Sequence, residues 1–198
     1  MHPLVERIIT IRNIDDADVF LNPTYHDRPS PFLIKGMSEA VERILKAIQN
    51  GEKIAVWHDY DCDGIPGGAV MHDFFKEIDH PARMHVPERN EGYGLNTEGL
   101  SKLRDEGVTL VITVDCGITD TAEVEHANSL GIDVIITDHH LPGPILPNAF
   151  SVIDTHQSDD RYPFKELCGT GVAFKLVEAL IERGNFGLTP GWEKWLLD

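Results

Sequence analysis

Five short apolar runs between residues 53 and 154 constrain this chain more than any other feature. They are KIAVW (53–57), ARMHV (82–86), TLVITV (109–114), DVIIT (133–137) and SVID (151–154). Each is short, and most are rich in β-branched residues, so each reads as a strand. Between them GAVMHDFFKEI, NTEGLSKLRDEG and DTAEVEHANSLG read as helices, the last two closing on Gly107 and Gly131. Strands that are nearly all apolar, alternating with helices, define an α/β fold: a mainly parallel sheet with helices on both faces. A final helix over about residues 170–183 places Ala173, Leu176, Val177, Leu180 and Ile181 on one face, with Gly184 after it.

The first fifty residues follow a different pattern. Turn chemistry in NPTYHDRPSP precedes a helix from about Ser38, with Val41, Ile44, Leu45 and Ile48 on one face, Ser38 as N-cap, and Asn50-Gly51 as its end. We read residues 1–50 as a short helical N-terminal segment packing on the core and residues 51–198 as the main domain. With 41% hydrophobic and 25% charged residues the chain can bury a core. No apolar run approaches the 18 or so residues of a membrane span, and Glu6 and Arg7 sit where a signal peptide would be apolar. The expectation is a cytoplasmic protein without membrane attachment. Cys62, Cys116 and Cys168 are odd in number and lack C-x-x-C spacing, which indicates neither a disulfide framework nor a zinc knuckle.

In a parallel sheet, ligands bind beyond the carboxyl ends of the strands. The first run here ends in HDYDCDG, the third in Asp115 and the fourth in Asp138, His139 and His140. Taken alone, D-x-D-x-D-G suits a calcium loop, but the twelfth position, which needs a bidentate glutamate, is Val70, and a strand precedes it. One aspartate at a strand end is often only a helix N-cap. Several acids on one edge repel each other unless cations lie among them. Carboxylates with one or two imidazoles suit Mn²⁺ or Mg²⁺; Zn²⁺ is less favoured without thiolates or three histidines.

The ordered set DYDCDG, VDCG and DHH resembles the DHH phosphoesterase superfamily. VPERNEGYGLN (86–96), DHHLPG (138–143), DTHQ (154–157) and YPFKELCGTGVAFKL (162–176) resemble its RecJ-type branch, 5′-to-3′ exonucleases acting on single-stranded DNA. The resemblance spans nearly all of residues 51–188. It implies a pair of divalent cations, Mn²⁺ first and Mg²⁺ as the alternative, that activate a water for phosphodiester hydrolysis. It implies Asp61 and Asp63 as metal ligands, with Asp59 beside them. Asp115 matches the aspartate bridging the two metals, His139 a metal ligand, and His140 a group that ligates or contacts the scissile phosphate. Asp138 matches a residue orienting this turn. Where other branches place a histidine four residues before the first-motif aspartate, this chain has Trp57, as the RecJ-type branch does.

Arg89 matches a position that approaches substrate phosphates, and Gly169 and Gly171 lead into a helix N-terminus able to hold an anion. His156 reads equally as a cleft residue and as a structural one. His58 reads as pointing away from Asp59 on an alternating strand. RecJ-type proteins continue with another metal-binding aspartate and a second domain. Here GWEKWLLD ends the sequence, with Asp198 as a candidate opening of that motif, so we expect a truncated site with at most weak activity alone. The net charge of −16, from 17 basic and 33 acidic residues, opposes a polyanion over most of the surface. The partner implied is nonetheless single-stranded nucleic acid, DNA before RNA, with repair or recombination proteins in attendance. Short oligoribonucleotides, cyclic dinucleotides, or a non-catalytic binding role stand as alternatives.

Overall fold

In the computed structural model, residues 1–89 and 91–197 are described; Asp198 lies outside them. The chain divides into two compact units, Met1–Ser30 and Pro31–Asp198, ahead of the boundary at residue 50 suggested by the change in pattern. The first unit holds α1 (Pro3–Ile11), α2 (Ala17–Leu21) and a 3₁₀ turn at Tyr25–Asp27. Pro3 opens α1 where its missing N–H needs no partner, and Asp16 caps α2 by accepting the Val19 N–H at 3.0 Å.

In the second unit, α3 (Met37–Asn50) leads to β1 (Lys53–His58), α4 (Gly64–Glu77) and β2 (Arg83–His85). There follow α5 (Thr97–Asp105), β3 (Val108–Val114), α6 (Thr121–Ser129) and β4 (Asp133–Thr137), then β5 (Ser151–Ile153) and α7 (Gly169–Arg183). All strand pairs are parallel, in the order β2-β1-β3-β4-β5. Alternation along β1 sends Ile54 and Val56 into a core built with α3, α4 and α7, and Ala55 and Trp57 into a second core built with α5 and α6. Both faces of the sheet are therefore apolar and covered, the physical reason its strands read as nearly continuous apolar runs. Among the described residues no helix is long and apolar enough to cross a membrane.

Two helix starts differ from the sequence reading. The N-cap of α3 is Gly36, not Ser38: its φ of +81° turns the chain left-handed, and a side chain there would run into the Val152 carbonyl. Ser38 falls in the first turn, where its hydroxyl lies 3.3 Å from Arg183 Nη2. Helix α4 begins at Gly64, because Asp61 Oδ1 accepts the N–H groups of Asp63 and Gly64 at 2.7 and 2.9 Å and winds the chain at once. Pro66 then sits in the first turn, where a missing N–H costs nothing.

Candidate metal centre

The strand order reverses between β1 and β3, which opens a crevice beyond their carboxyl ends. Asp59 and Asp61 follow β1, and Asp115 follows β3. Asp115 is buried and holds a left-handed φ of +63°, unusual for a residue with a side chain. Its N–H donates to Thr137 O at 3.0 Å, while Thr113 Oγ1 donates to Cys116 O at 2.7 Å, so the turn is fastened on both sides.

Among the described residues, these turns bring two groups of ligand atoms together, each with its atoms within 4.8 Å of one another: Asp59, Asp61 and Asp115, and Asp115, His139 and His140. Asp115 belongs to both. His139 Nε2 lies 3.1 Å from Asp115 Oδ1 and 3.6 Å from Asp63 Oδ2, yet Asp115 Oδ1 has no hydrogen-bond partner. The pair is within ion-pair reach and out of hydrogen-bond alignment. Asp59 is also buried, and its Oδ1 is likewise unpartnered. A buried carboxylate oxygen without a donor is costly unless a cation completes it.

Asp63 stands outside both groups. Its Oδ2 accepts the Gly169 N–H at 2.6 Å, its Oδ1 the Thr170 N–H at 2.8 Å, and its carbonyl the Thr170 hydroxyl at 2.6 Å. The anion at the α7 N-terminus is therefore a side chain of this protein, where the sequence reading offered Gly169 and Gly171 to a substrate. Gly169 packs its Cα against Asp115; Gly171 faces Leu167 and Cys168. Burial pushes the Asp63 carboxyl up, but the bonds from Thr170 and Gly169 outweigh it and hold it below the usual carboxylate range. Backbone bonds from Gly64 and Asp63 likewise lower Asp61. Asp115 goes the other way: burial first, then the charges of Asp63 and Asp61, push its pKa up to about 8.

After β4, Asp138 is fully buried and organises the histidines. Its Oδ1 accepts the N–H groups of His139 and His140 at 2.7 and 3.2 Å and the His140 imidazole at 2.7 Å, and its Oδ2 accepts the Ile118 N–H at 2.9 Å. His140 Nδ1 thus carries the proton, and Nε2 is left as the ligand atom. Burial works against the charged form of His140, but the Asp138 carboxylate outweighs it and raises its pKa.

Two residues here escaped the sequence reading. The Tyr93 hydroxyl donates to the Asp115 carbonyl at 3.0 Å, and its oxygen lies 3.1 Å from His140 Nδ1. Its place in VPERNEGYGLN, between two glycines, was the available signal. Asp154, at the end of β5, is fully buried with Oδ2 unpartnered, and burial raises its pKa to about 6. Its position in SVID was the available signal. Of the remaining candidates, Arg89 is exposed, its guanidinium 5.3 Å from the centre of the Tyr60 ring. Trp57 is fully buried and donates from Nε1 to Gly94 O at 3.1 Å. His58 is buried with Nδ1 2.8 Å from Asp59 O.

A parallel α/β domain with carboxylates and imidazoles gathered at its strand ends defines a class of proteins built to hold divalent cations. The family described as "DHH family, N-terminal domain" matches residues 53–195, and the chain belongs to it. It is 43% identical over 183 residues to the single-stranded-DNA-specific exonuclease RecJ of Bacillus subtilis, covering 90% of this chain and 23% of that protein. It is 39% identical over 192 residues to the RecJ of Escherichia coli, covering 96% and 33% respectively. The chain thus spans about a quarter to a third of the length of these curated relatives. Among solved structures, an exonuclease RecJ bound to manganese superposes with a TM-score of 0.71 at 36% identity, covering 80% of this chain and 40% of that one. The RecJ of Thermus thermophilus in complex with Mn²⁺ gives 0.67 at 34%, covering 80% and 22%.

Proposed function

We propose that this chain is the metal-holding domain of a RecJ-type exonuclease that hydrolyses single-stranded DNA from the 5′ end, in the cytoplasm and alongside repair or recombination proteins. The observation that carries it is the pair of buried, unpartnered acceptors, Asp59 Oδ1 and Asp115 Oδ1, in ligand groups that share Asp115. The donor set fits Mn²⁺ or Mg²⁺: hard carboxylates with imidazole and no thiolate among the grouped atoms. RecJ structures are known with Mn²⁺ and with Mg²⁺. Asp59, Asp61, Asp115, His139 and His140 would hold the cations. Asp63 would add the lone pairs its α7 bonds leave free, since each carboxylate oxygen has two acceptor positions. Bound divalent cations supply an activated water and neutralise charge on the phosphodiester.

The chain's own groups do the positioning. Asp138 fixes the His140 tautomer, so that Nε2 faces the cation or the scissile phosphate. The left-handed Asp115 aims its carboxylate between the β1 acids and His139. Arg89, exposed beside Tyr60, would meet backbone phosphates with a planar fork of donors. The strongly acidic surface makes bound cations a precondition for approach of a polyanion.

The test is Mn²⁺ binding to metal-stripped protein by calorimetry, together with nucleotide release from a 5′-phosphorylated single strand under Mn²⁺ at high protein concentration. Binding and release that are both lost in Asp115→Asn support the reading. Wild-type protein that binds no Mn²⁺, or Mn²⁺-dependent release that survives Asp115→Asn, overturns it.

A further inference from the structure

The Asp-x-His turn that follows β4 is repeated one strand over. The His140 N–H donates to Asp138 Oδ1 at 3.2 Å; at the end of β5 the His156 N–H donates to Asp154 Oδ1 at 2.7 Å. Thr137 pairs with Ile153, so Asp138 and Asp154 are the next residues on adjacent strands, and both are fully buried. The turns differ in how they are satisfied. In the first, imidazole Nδ1 bonds to Oδ1 at 2.7 Å and Oδ2 accepts from Ile118. In the second, Nδ1 stands 3.4 Å from Oδ1 without a hydrogen bond, and both His156 Nδ1 and Asp154 Oδ2 are buried without partners.

An oxygen and a nitrogen each about 2.1 Å from one cation stand roughly 3.0 to 3.4 Å apart at tetrahedral to octahedral angles. The Asp154–His156 spacing of 3.4 Å lies at the wide end of that range, so an octahedral ion would draw the two side chains slightly together. A related arrangement marks His139 and Asp115 at 3.1 Å, where the imidazole faces the unpartnered Oδ1 itself; at Asp154 the unpartnered oxygen is Oδ2, beside the one that His156 approaches. Neither arrangement occurs at Asp138 and His140, whose polar atoms satisfy each other. Two buried carboxylates on adjacent strand ends, one fully bonded and one not, call for positive charge at the second.

We propose that Asp154 and His156 form an additional divalent-cation site at the end of β5, beside the centre at β1, β3 and β4. With two protein ligands it keeps several waters, as Mg²⁺ and Mn²⁺ sites commonly do, and it binds more weakly than the centre. His156 is 22% exposed, which gives the site access to solvent. The proposal rests on the metal-holding reading above and extends it by one strand.

Mn²⁺ titration of the metal-stripped protein, with free ion followed by electron paramagnetic resonance, counts the bound ions and ranks their affinities. The expected wild-type result is a tight set plus one further ion bound about tenfold or more weakly; Asp154→Asn and His156→Gln each lose only that weaker ion. Equal counts in wild type and both variants overturn the proposal and leave Asp154 and His156 as an ordinary ion pair. Absence of the tight set in wild type overturns the metal-holding reading instead. His156→Gln changes a partly exposed side chain, so it carries the test alone if the buried Asp154→Asn change prevents folding.

Discussion

Replacing Gly169 by alanine probes the packing that aims Asp115. An ideal Cβ at residue 169 would lie 2.6 Å from both Cβ and Cγ of Asp115, nearer still to Oδ1. Comfortable carbon contacts begin near 3.5 Å, so about 1 Å must be opened. Asp115 is poorly placed to yield, being buried, left-handed and tied through its N–H to Thr137. Overpacking of this kind costs about 1–3 kcal/mol, against which alanine returns at most about 1 kcal/mol of helix propensity. Taken at the middle of these ranges the net is a loss of about 1–2 kcal/mol, or roughly 2 to 8 °C in Tm for a chain of this size. Mn²⁺ affinity should fall about tenfold or more, because the displaced carboxylate belongs to both ligand groups. The matched control is Gly171→Ala, whose Cβ would meet the flexible end of Leu167 at 3.3 Å. It should be neutral, or stabilising by up to about 1 kcal/mol. Thermal melts with and without Mn²⁺ and calorimetric titration make the comparison. A wild-type Tm and Mn²⁺ affinity in Gly169→Ala would refute the packing argument. An equal loss in Gly171→Ala would move the cause to the helix backbone.

Two further outcomes follow from the same geometry. Tyr93→Phe removes the hydroxyl between Asp115 and His140 while keeping the ring; Mn²⁺ affinity should weaken about tenfold with a stability loss near 1 kcal/mol, and calorimetry showing unchanged affinity would discount that contact. The metal-free protein should lose stability as pH rises from about 4 to 8. Asp115 and Asp154 have pKa values raised to about 8 and about 6, so the folded state retains protons that the unfolded state releases near pH 4, and each retained proton gives a slope of about 1.4 kcal/mol per pH unit. Melts in EDTA should fall across that window and melts in Mn²⁺ should not. A flat or rising EDTA profile would contradict the burial of those carboxylates.

Much of this molecule follows from local pattern. The five apolar runs carry their own periodicity, so the parallel sheet and its two covered faces are legible before any contact is known. The acids at the strand ends are legible too, because chain direction alone puts residues 59–63, 115 and 138–140 on one edge. What local pattern omits is which groups satisfy one another. Asp63 looks like Asp61 in D-x-D-x-D-G, yet each of its oxygens gives one acceptor position to an amide of α7, 106 and 107 residues further along the chain, and keeps the other. Ser38 looks like a helix cap, but the approach of β5 to Gly36 sets the cap two residues earlier. Tyr93 and Asp154 lie within quoted segments that do not show their roles; the first is defined by a carbonyl and an imidazole brought to it by two other segments, the second by an Oδ2 that no donor reaches. Periodicity and strand order are properties of neighbouring residues, so the sequence by itself determined the sheet and the edge on which the site lies. Hydrogen-bond satisfaction in a buried space depends on residues far apart in the chain, and only the tertiary structure decided which carboxylates are spent on the protein and which are left for a cation.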